Sequence, residues 1–461
     1  MISQTVKPFV DLTFLSAVVL GCHFAAAQQP VSPIDYKKIP ANQWTLIHAE
    51  DSSGGKTFAR AVYARSIDRL YLWGTGGKKP ARNVYLRYEL ESFKVAPGAT
   101  ASWSPAFPKV RQGQWTADKF PPFRIYGQSG PDGLKYDQGP RFQTVGGYNQ
   151  TNRVWWWDFE GVMRPSPIYT FNMACWDSKR NRIIYYSDGA TFALDPSTNG
   201  WADLKPSDHP MTCRTVAWAS MCYDPINDQV LLFGGGLATN PTGAAPTWLY
   251  DCSKNIWRRP RLDTEPPPRC NAPIVYDSAS ESMVMFGGYN QAAALNDTWV
   301  FDCRKQKWQQ RKPKLAPPPM YAPATAAIPG STKVVICGAD ARKIRLHHQS
   351  SSSAVKQTWV YDVKADIWTP INSDLKLSGY RWLTGAGAPK HGVVLLVAFG
   401  GKRQTFALRY DGEAPAAELP GAEPNTVAWK YPEQKESLED AAKPSPDQHK
   451  KTLADLPVNQ F

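Results

Sequence analysis

The chain has 461 residues, with 53 Lys and Arg against 40 Asp and Glu for a net charge of +13, and 18 of its residues are Trp. A hydrophobic share of 42% excludes general disorder, and 40 prolines exclude a coiled coil or helical bundle. Beyond the N-terminus no apolar run reaches the roughly 18 residues of a membrane-spanning helix, so a turn-rich, aromatic-rich, all-β body remains.

In chain order the first feature is an address. Residues 12–27 (LTFLSAVVLGCHFAAA) are mostly apolar and follow Lys7, and Ala25-Ala26-Ala27 puts small residues where a signal peptidase cleaves. The reading is a signal peptide over 1–27 and an exported protein, periplasmic, cell-surface or secreted. A bland alternative is a buried strand or a single membrane anchor. Val19-Leu20-Gly21-Cys22 also resembles a bacterial lipobox, and only lipidation of Cys22 would tie the protein to a membrane. Export leaves seven cysteines, at 175, 213, 222, 252, 270, 303 and 337. An odd number cannot all pair internally. No C-x-x-C occurs, so structural zinc is unsupported and buried free thiols are expected. Cys175 and Cys222 hold equivalent positions in consecutive sequence copies, which makes theirs the one bridge worth testing. If strands alternate direction, Cys252 and Cys270 lie at opposite ends of their blades and should not pair.

Past residue 57 the chain repeats itself. AVYARSIDRLYLWGTGG (61–77) is a first copy, and RFQTVGGYNQTNRVWWWDFEG (141–161) fits a second. ACWDSKRNRIIYYSDG (174–189) with TFALDPSTNGW (191–201) follows. The clearest copies run Cys213 to Trp257 and Arg269 to Trp308, then from Met320 through VVICG to Trp368, and VVLLVAFGGKRQTFALRYD (393–411) is the last. Each holds short apolar or alternating runs divided by Gly, Asn-Asp or Asp-Pro turns, which is strand chemistry. Four strands in about 50 residues make a small sheet that needs neighbours on both faces, and radial packing provides them.

These copies resemble the kelch family of β-propellers, best known from galactose-oxidase-type and kelch-type members. The resemblance rests on Tyr223-Asp224 and Tyr276-Asp277 before the second strand, and on the pairs Gly234-Gly235 and Gly287-Gly288 closing it. It rests further on Trp248, Trp299 and Trp359 in the third strand and Trp257, Trp308 and Trp368 in the fourth. It implies a bacterial exported kelch propeller over 28–411, with seven blades favoured and six the alternative. Second strands end near Gly74, Gly189, Gly235, Gly288, Gly338 and Gly401, and the 141–161 copy supplies the seventh blade. The last copy lacks a fourth-strand Trp, whereas Asn42-Gln43-Trp44 reads like Asn255-Ile256-Trp257. An N-terminal strand around Trp44 is therefore expected to close the ring beside Phe406. Residues 412–461 carry nine acidic and five basic residues and read as an irregular, Pro/Ala/Glu-rich linker tail, which leaves +17 on 1–411.

Arg141, Arg214, Arg269 and Arg381 fall at or just before the innermost strands. Four guanidiniums converging on one axis would hold a carboxylate, sulfate or phosphate, whereas arginines that each bond a neighbouring loop would not. Catalytic residues are not identifiable. A galactose-oxidase-like copper set would need Tyr and His partners, but His48, His209, His347, His348, His391 and His449 form no Tyr-His pair. There is no H-E-x-x-H, G-x-S-x-G or phosphate-binding loop. Asp224, Asp251, Asp277, Asp302 and Asp362 sit beside turns and are expected to bond local backbone. No metal or other cofactor is called for. The resulting expectation is an exported, non-catalytic binding or scaffold propeller for a protein or glycan, acidic partners favoured by charge and nucleic acid disfavoured. The alternative is a secreted carbohydrate-active enzyme, oxidase- or epimerase-like, using the central channel.

Overall fold

A computed structural model describes residues 34–51, 57–75, 88–99, 101–106, 155–157, 163–165, 173–187, 190–207, 210, 218–235, 247–290, 294–341, 356–375, 377, 382–399 and 402–412. Among them are six four-stranded antiparallel sheets. Blade I is β2 (Thr57–Ala64), β3 (Arg69–Thr75), β4 (Tyr88–Lys94) and β5 (Trp103–Pro105). Blade II is β8 (Ala174–Asp177), β9 (Arg182–Ser187), β10 (Ala190–Asp195) and β11 (Gly200–Asp203). Blade III is β12 (Ser220–Asp224), β13 (Gln229–Phe233), β14 (Trp248–Asp251) and β15 (Ile256–Arg258). Blade IV is β16 (Ile274–Asp277), β17 (Ser282–Phe286), β18 (Thr298–Asp302) and β19 (Lys307–Arg311). Blade V is β20 (Ala324–Ala327), β21 (Lys333–Ala339), β22 (Lys356–Asp362) and β23 (Ile367–Leu375).

Blade VI combines both ends of the folded body. β24 (Trp382–Ala388), β25 (Val393–Phe399) and β26 (Lys402–Leu408) pair in order, and β1 (Trp44–Asp51) completes the sheet on β26. Trp44 stands opposite Leu408 and Leu46 opposite Phe406, so the expected closure around Trp44 is what the chain does. The innermost strands β2, β8, β12, β16, β20 and β24 each touch the next, and β2 touches both β24 and β8. The ring is thus a six-bladed β-propeller, which corrects the preference for seven. The aromatic run of the 141–161 copy does form a strand, β6 (Trp155–Trp157), but among the described residues its partner is the three-residue β7 (Met163–Pro165). A hairpin of that size cannot replace a four-stranded blade, and blade I packs directly on blade II without it.

Apolar clusters fill all six interfaces between neighbouring blades, so the core lies between sheets. With the strands of each blade lettered A to D from the axis outward, the short A-to-B and C-to-D turns all lie on one face of the ring and follow one recipe. Asp224 accepts the backbone N–H groups of Ile226 and Asn227, Asp251 those of Ser253 and Lys254, and Asp362 those of Lys364 and Ala365. Asp277 and Asp302 do the same for Ser280 and Lys305, so the repeated aspartates are local turn caps. A left-handed residue ends each turn, and at three of them a tyrosine hydroxyl donates to it at 2.6 Å: Tyr63 to Asp68, Tyr250 to Asn255 and Tyr361 to Asp366.

Outer-strand tryptophans tie each blade to the one before it. The indole N–H of Trp257 donates to Thr191 Oγ1 at 2.8 Å. Trp308 donates to Thr247, Trp368 to Thr298, Trp44 to Thr358 and Trp103 to Thr405, all at 2.9 Å. These five threonines are fully buried, and each immediately precedes an aromatic residue of a third strand. The sixth interface lacks the tie. Lys94 pairs with Arg69 as Asp302 pairs with Ser282, so blade I carries Leu90 where blade IV carries Thr298. The Nε1 of the corresponding Trp201 is buried without a hydrogen-bond partner.

On the turn face, Arg180 of blade II grips Asp228 of blade III with both terminal nitrogens at 2.7 and 2.8 Å. These hydrogen bonds from Arg180, joined by Lys179 and Tyr223, hold the Asp228 carboxyl well below the usual carboxylate range. Because the folded-state value is the lower one, the stabilisation is complete above about pH 4 and is lost as pH falls through the depressed value. Asp228→Asn should therefore lower the urea midpoint at neutral pH and shrink the acid-side decline between wild type at pH 6 and at pH 2. An unchanged acid limb would reject that assignment.

Candidate functional site

Antiparallel pairing sends the B-to-C and D-to-A connections to the face opposite the short turns. These connections include 259–273 and 312–323, and they carry the features that vary between blades. Their inner ends form a collar around the axis. Trp218, Asn271 and Ala322, just before the innermost strands of blades III, IV and V, all adopt left-handed backbone. Asn271 N–H donates to Trp218 O at 2.9 Å and Ala322 N–H to Asn271 O at 3.2 Å, so each lead-in segment hands a bond to the next.

The glycine pairs explain how closely these segments approach. Gly234, Gly235, Gly287 and Gly288 have φ of +81°, +92°, +68° and +89°. A Cβ on Gly234 would stand 2.4 Å from Arg269 O, and one on Gly288 would stand 2.8 Å from Cys270 O. Gly235 N–H donates to Arg269 O and Gly288 N–H to Met320 O, stitching each B-to-C connection to the following D-to-A segment. The pairs are required by backbone approach.

Arg269 is the one candidate anion ligand among the described residues, and it is committed internally. Its Nη1 and Nη2 donate to the two carboxylate oxygens of Asp297 at 2.5 and 2.8 Å, Nη1 also to Gly287 O and Nε to Pro267 O. Both side chains are 1% exposed. Asp297 further accepts the indole N–H of Trp299 at 2.7 Å. The guanidinium therefore braces blade IV and its charge is already met. Arg141, Arg214 and Arg381 lie outside the described residues, as do residues 1–33 with Cys22, Cys213 and residues 413–461.

What the collar presents beside this brace is aromatic. Tyr289, at the start of a B-to-C connection, meets Tyr321 edge-on with centroids 6.0 Å apart. Tyr321 in turn lies 6.3 Å from Trp382, which begins the innermost strand of blade VI. Asn271 Nδ2 donates to the Tyr321 hydroxyl at 2.8 Å and fixes the ring. Burial raises the Tyr321 phenol well above its ordinary range, so it is neutral and a hydrogen-bond partner only. Tyr289, Tyr321 and Trp382 are each half-buried, giving a rigid, neutral aromatic surface over blades IV to VI. Neither residue type nor spacing had flagged it, because each ring comes from a different copy of the repeat.

Nucleophiles and metal ligands do not gather there. Cys175, Cys222, Cys252, Cys270 and Cys303 are buried free thiols, so no Cys175–Cys222 bridge forms. Burial pushes the Cys222, Cys252 and Cys270 thiols up to about 12, which leaves them protonated and unreactive. Among the described residues no group of three or more His, Cys, Asp or Glu is placed to hold a metal ion. His391 bonds both oxygens of Asp68 at 2.8 and 2.9 Å and ties the turns of blades VI and I. His48 bonds Glu50 at 3.2 Å inside blade VI.

Comparison with known proteins adds a family likeness. Residues 175–403 match the KLHDC2/KLHL20/DRC7 kelch-repeats domain. Protein tag-53 of Caenorhabditis elegans is 24% identical over 219 residues, 43% of this chain and 15% of that protein. Adagio-like protein 3 of Oryza sativa subsp. japonica is 24% identical over 164 residues, 35% of this chain and 25% of its own length. Adagio-like protein 2 of the same plant is 28% identical over 166 residues, 35% of this chain and 24% of that protein. The chain thus matches no more than a quarter of these relatives. All three are eukaryotic, and the expectation of a bacterial member finds no support among them.

Proposed function

From the kelch-type β-propeller that this chain forms, we propose a non-catalytic protein-binding scaffold that docks its partner on the loop face, over the aromatic collar of Tyr289, Tyr321 and Trp382. The observation that carries this reading is the contrast between the two faces. One consists of short Asp-capped turns whose polar groups are satisfied locally, and the other presents half-buried aromatic rings on braced backbone. Rigid aromatic side chains supply contact area at low entropic cost, which is what interface anchors need. The likeness to kelch-repeat domains agrees with a binding role. We also propose that the chain is exported after cleavage behind Ala27. The apolar run over 12–27 supports this, and a secreted product whose N-terminus is Gln28 would establish it.

Selection of a displayed random-peptide library on the purified full chain tests the docking site. Enriched peptides should lose at least tenfold in affinity to Tyr289→Ala/Tyr321→Ala and keep it with the turn-face variant Lys254→Ala/Lys364→Ala. Peptides insensitive to the aromatic pair would reject the loop face. Turnover on a panel of sugars, lost in the same aromatic variant, would replace the scaffold reading with the carbohydrate-active alternative.

A further inference from the structure

The outer rim of the propeller is chemically uneven. Six strands form it: β1, β5, β11, β15, β19 and β23. Lys or Arg occurs only in the adjacent β15, as Arg258, and β19, as Lys307 and Arg311. The connections that follow continue the pattern with Arg259 and Arg261, and with Lys312 and Lys314. Over 256–268 and 307–319 these seven cations face two carboxylates, Asp263 and Glu265. Arg258, Arg261, Lys307, Lys312 and Lys314 are exposed.

Two contacts make the halves one stripe. Arg258 Nη2 donates to Gln306 Oε1 of blade IV at 3.1 Å, and Lys307 Nζ lies 3.4 Å from Asp263 Oδ2. Triple prolines at 266–268 and 317–319 end both connections, fixing φ and limiting the ordering cost of a bound partner. β19 is the outermost strand of its sheet, and among the described residues β18 is its one strand partner, so its other edge faces outward from the blade. Leu315, half-exposed at the end of the stripe, adds an apolar contact.

We propose that this rim of blades III and IV is a second docking surface, separate from the loop face, and that it takes an extended acidic polypeptide segment added as a strand along β19. An open strand edge gives register and main-chain hydrogen bonds, while the flanking cations select carboxylate side chains. A polypeptide fits better than a nucleic acid, because no aromatic ring of the stripe is exposed for base stacking: Trp257 and Trp308 are buried.

Fluorescence anisotropy with the full chain and a labelled 12-residue peptide alternating Glu with Thr tests this. Binding should weaken at least tenfold in Lys307→Glu/Lys312→Glu/Lys314→Glu. It should be unchanged in the charge-matched control Lys37→Glu/Lys364→Glu/Lys390→Glu, whose lysines are exposed elsewhere. A version of the peptide with Pro in place of Thr keeps the charge, cannot pair as a strand, and should bind at least tenfold more weakly. Equal losses in both triple variants would mean diffuse attraction and overturn the proposal, as would equal binding of the proline peptide. Binding of a heparin hexasaccharide or a single-stranded oligonucleotide at this stripe without the peptide would overturn it as well. Neither triple variant touches the Tyr289/Tyr321 collar, so failure here leaves the loop-face result intact.

Discussion

Arg269→Ala lowers the stability of the ring by about 3–5 kcal/mol, measured as a fall in the urea midpoint, because it leaves the Asp297 carboxylate buried and unpaired. Asp297 would retain the indole N–H of Trp299, a single neutral donor in place of a bidentate guanidinium. Gly287 O and Pro267 O would lose their donors in the same substitution. The double variant Arg269→Ala/Asp297→Ala should be less damaging than the single arginine deletion, since it removes the stranded charge as well. That non-additivity is the signature of a direct pair. A variant that folded with wild-type stability would mean that the arginine is held for a ligand instead.

The second large effect concerns the tryptophan ties. Trp257→Phe, Trp308→Phe and Trp368→Phe each remove an indole donor and leave a buried threonine hydroxyl without its partner, at about 1–3 kcal/mol beyond the lost ring volume. Trp201→Phe removes a donor that bonds nothing, so it should cost less than the others by about that amount. The four variants have comparable burial, with residual exposure of 5% for Trp201 and 0–3% for the rest. Their difference in urea midpoint therefore reports the hydrogen bond itself. Equal losses at all four sites would show that ring packing alone holds the blades together.

Much of this architecture was legible because each blade spells the same local chemistry. The Asp cap, the left-handed Asx and the glycine pair are backbone requirements, and a backbone requirement leaves a fixed residue at a fixed place. Closure was legible for the same reason, since Trp44 sits in a turn-and-strand context shared with Trp257. Blade number was not. Trp155–Trp157 has the composition of a second strand, and composition does not reveal that it joins none of the four-stranded sheets among the described residues. The role of Arg269 was hidden because Asp297 lies 28 residues away, in a different connection. The threonine preceding each third-strand aromatic was in plain view at 191, 247, 298, 358 and 405, but its meaning depends on a tryptophan one blade further on. The aromatic collar needed the assembled ring, since its three rings belong to three blades.

Leu90 has a mechanical consequence. A closed ring distributes deformation over all its joints, and its first failure occurs at the joint with the least to break. The joint between blades VI and I holds a Trp103–Thr405 bond and a buried pairing of Arg403 with Glu91. Between blades I and II, Tyr71 reaches Asn199 at the turn-face end, but the buried indole of Trp201 bonds nothing. Transient opening should therefore convert the closed ring into a split washer at this seam, with the gap beside the chain's longest inter-blade connection. Amide protons of β8 and β2 would then exchange with solvent ahead of those in β12 and β16, although all four strands are equally innermost.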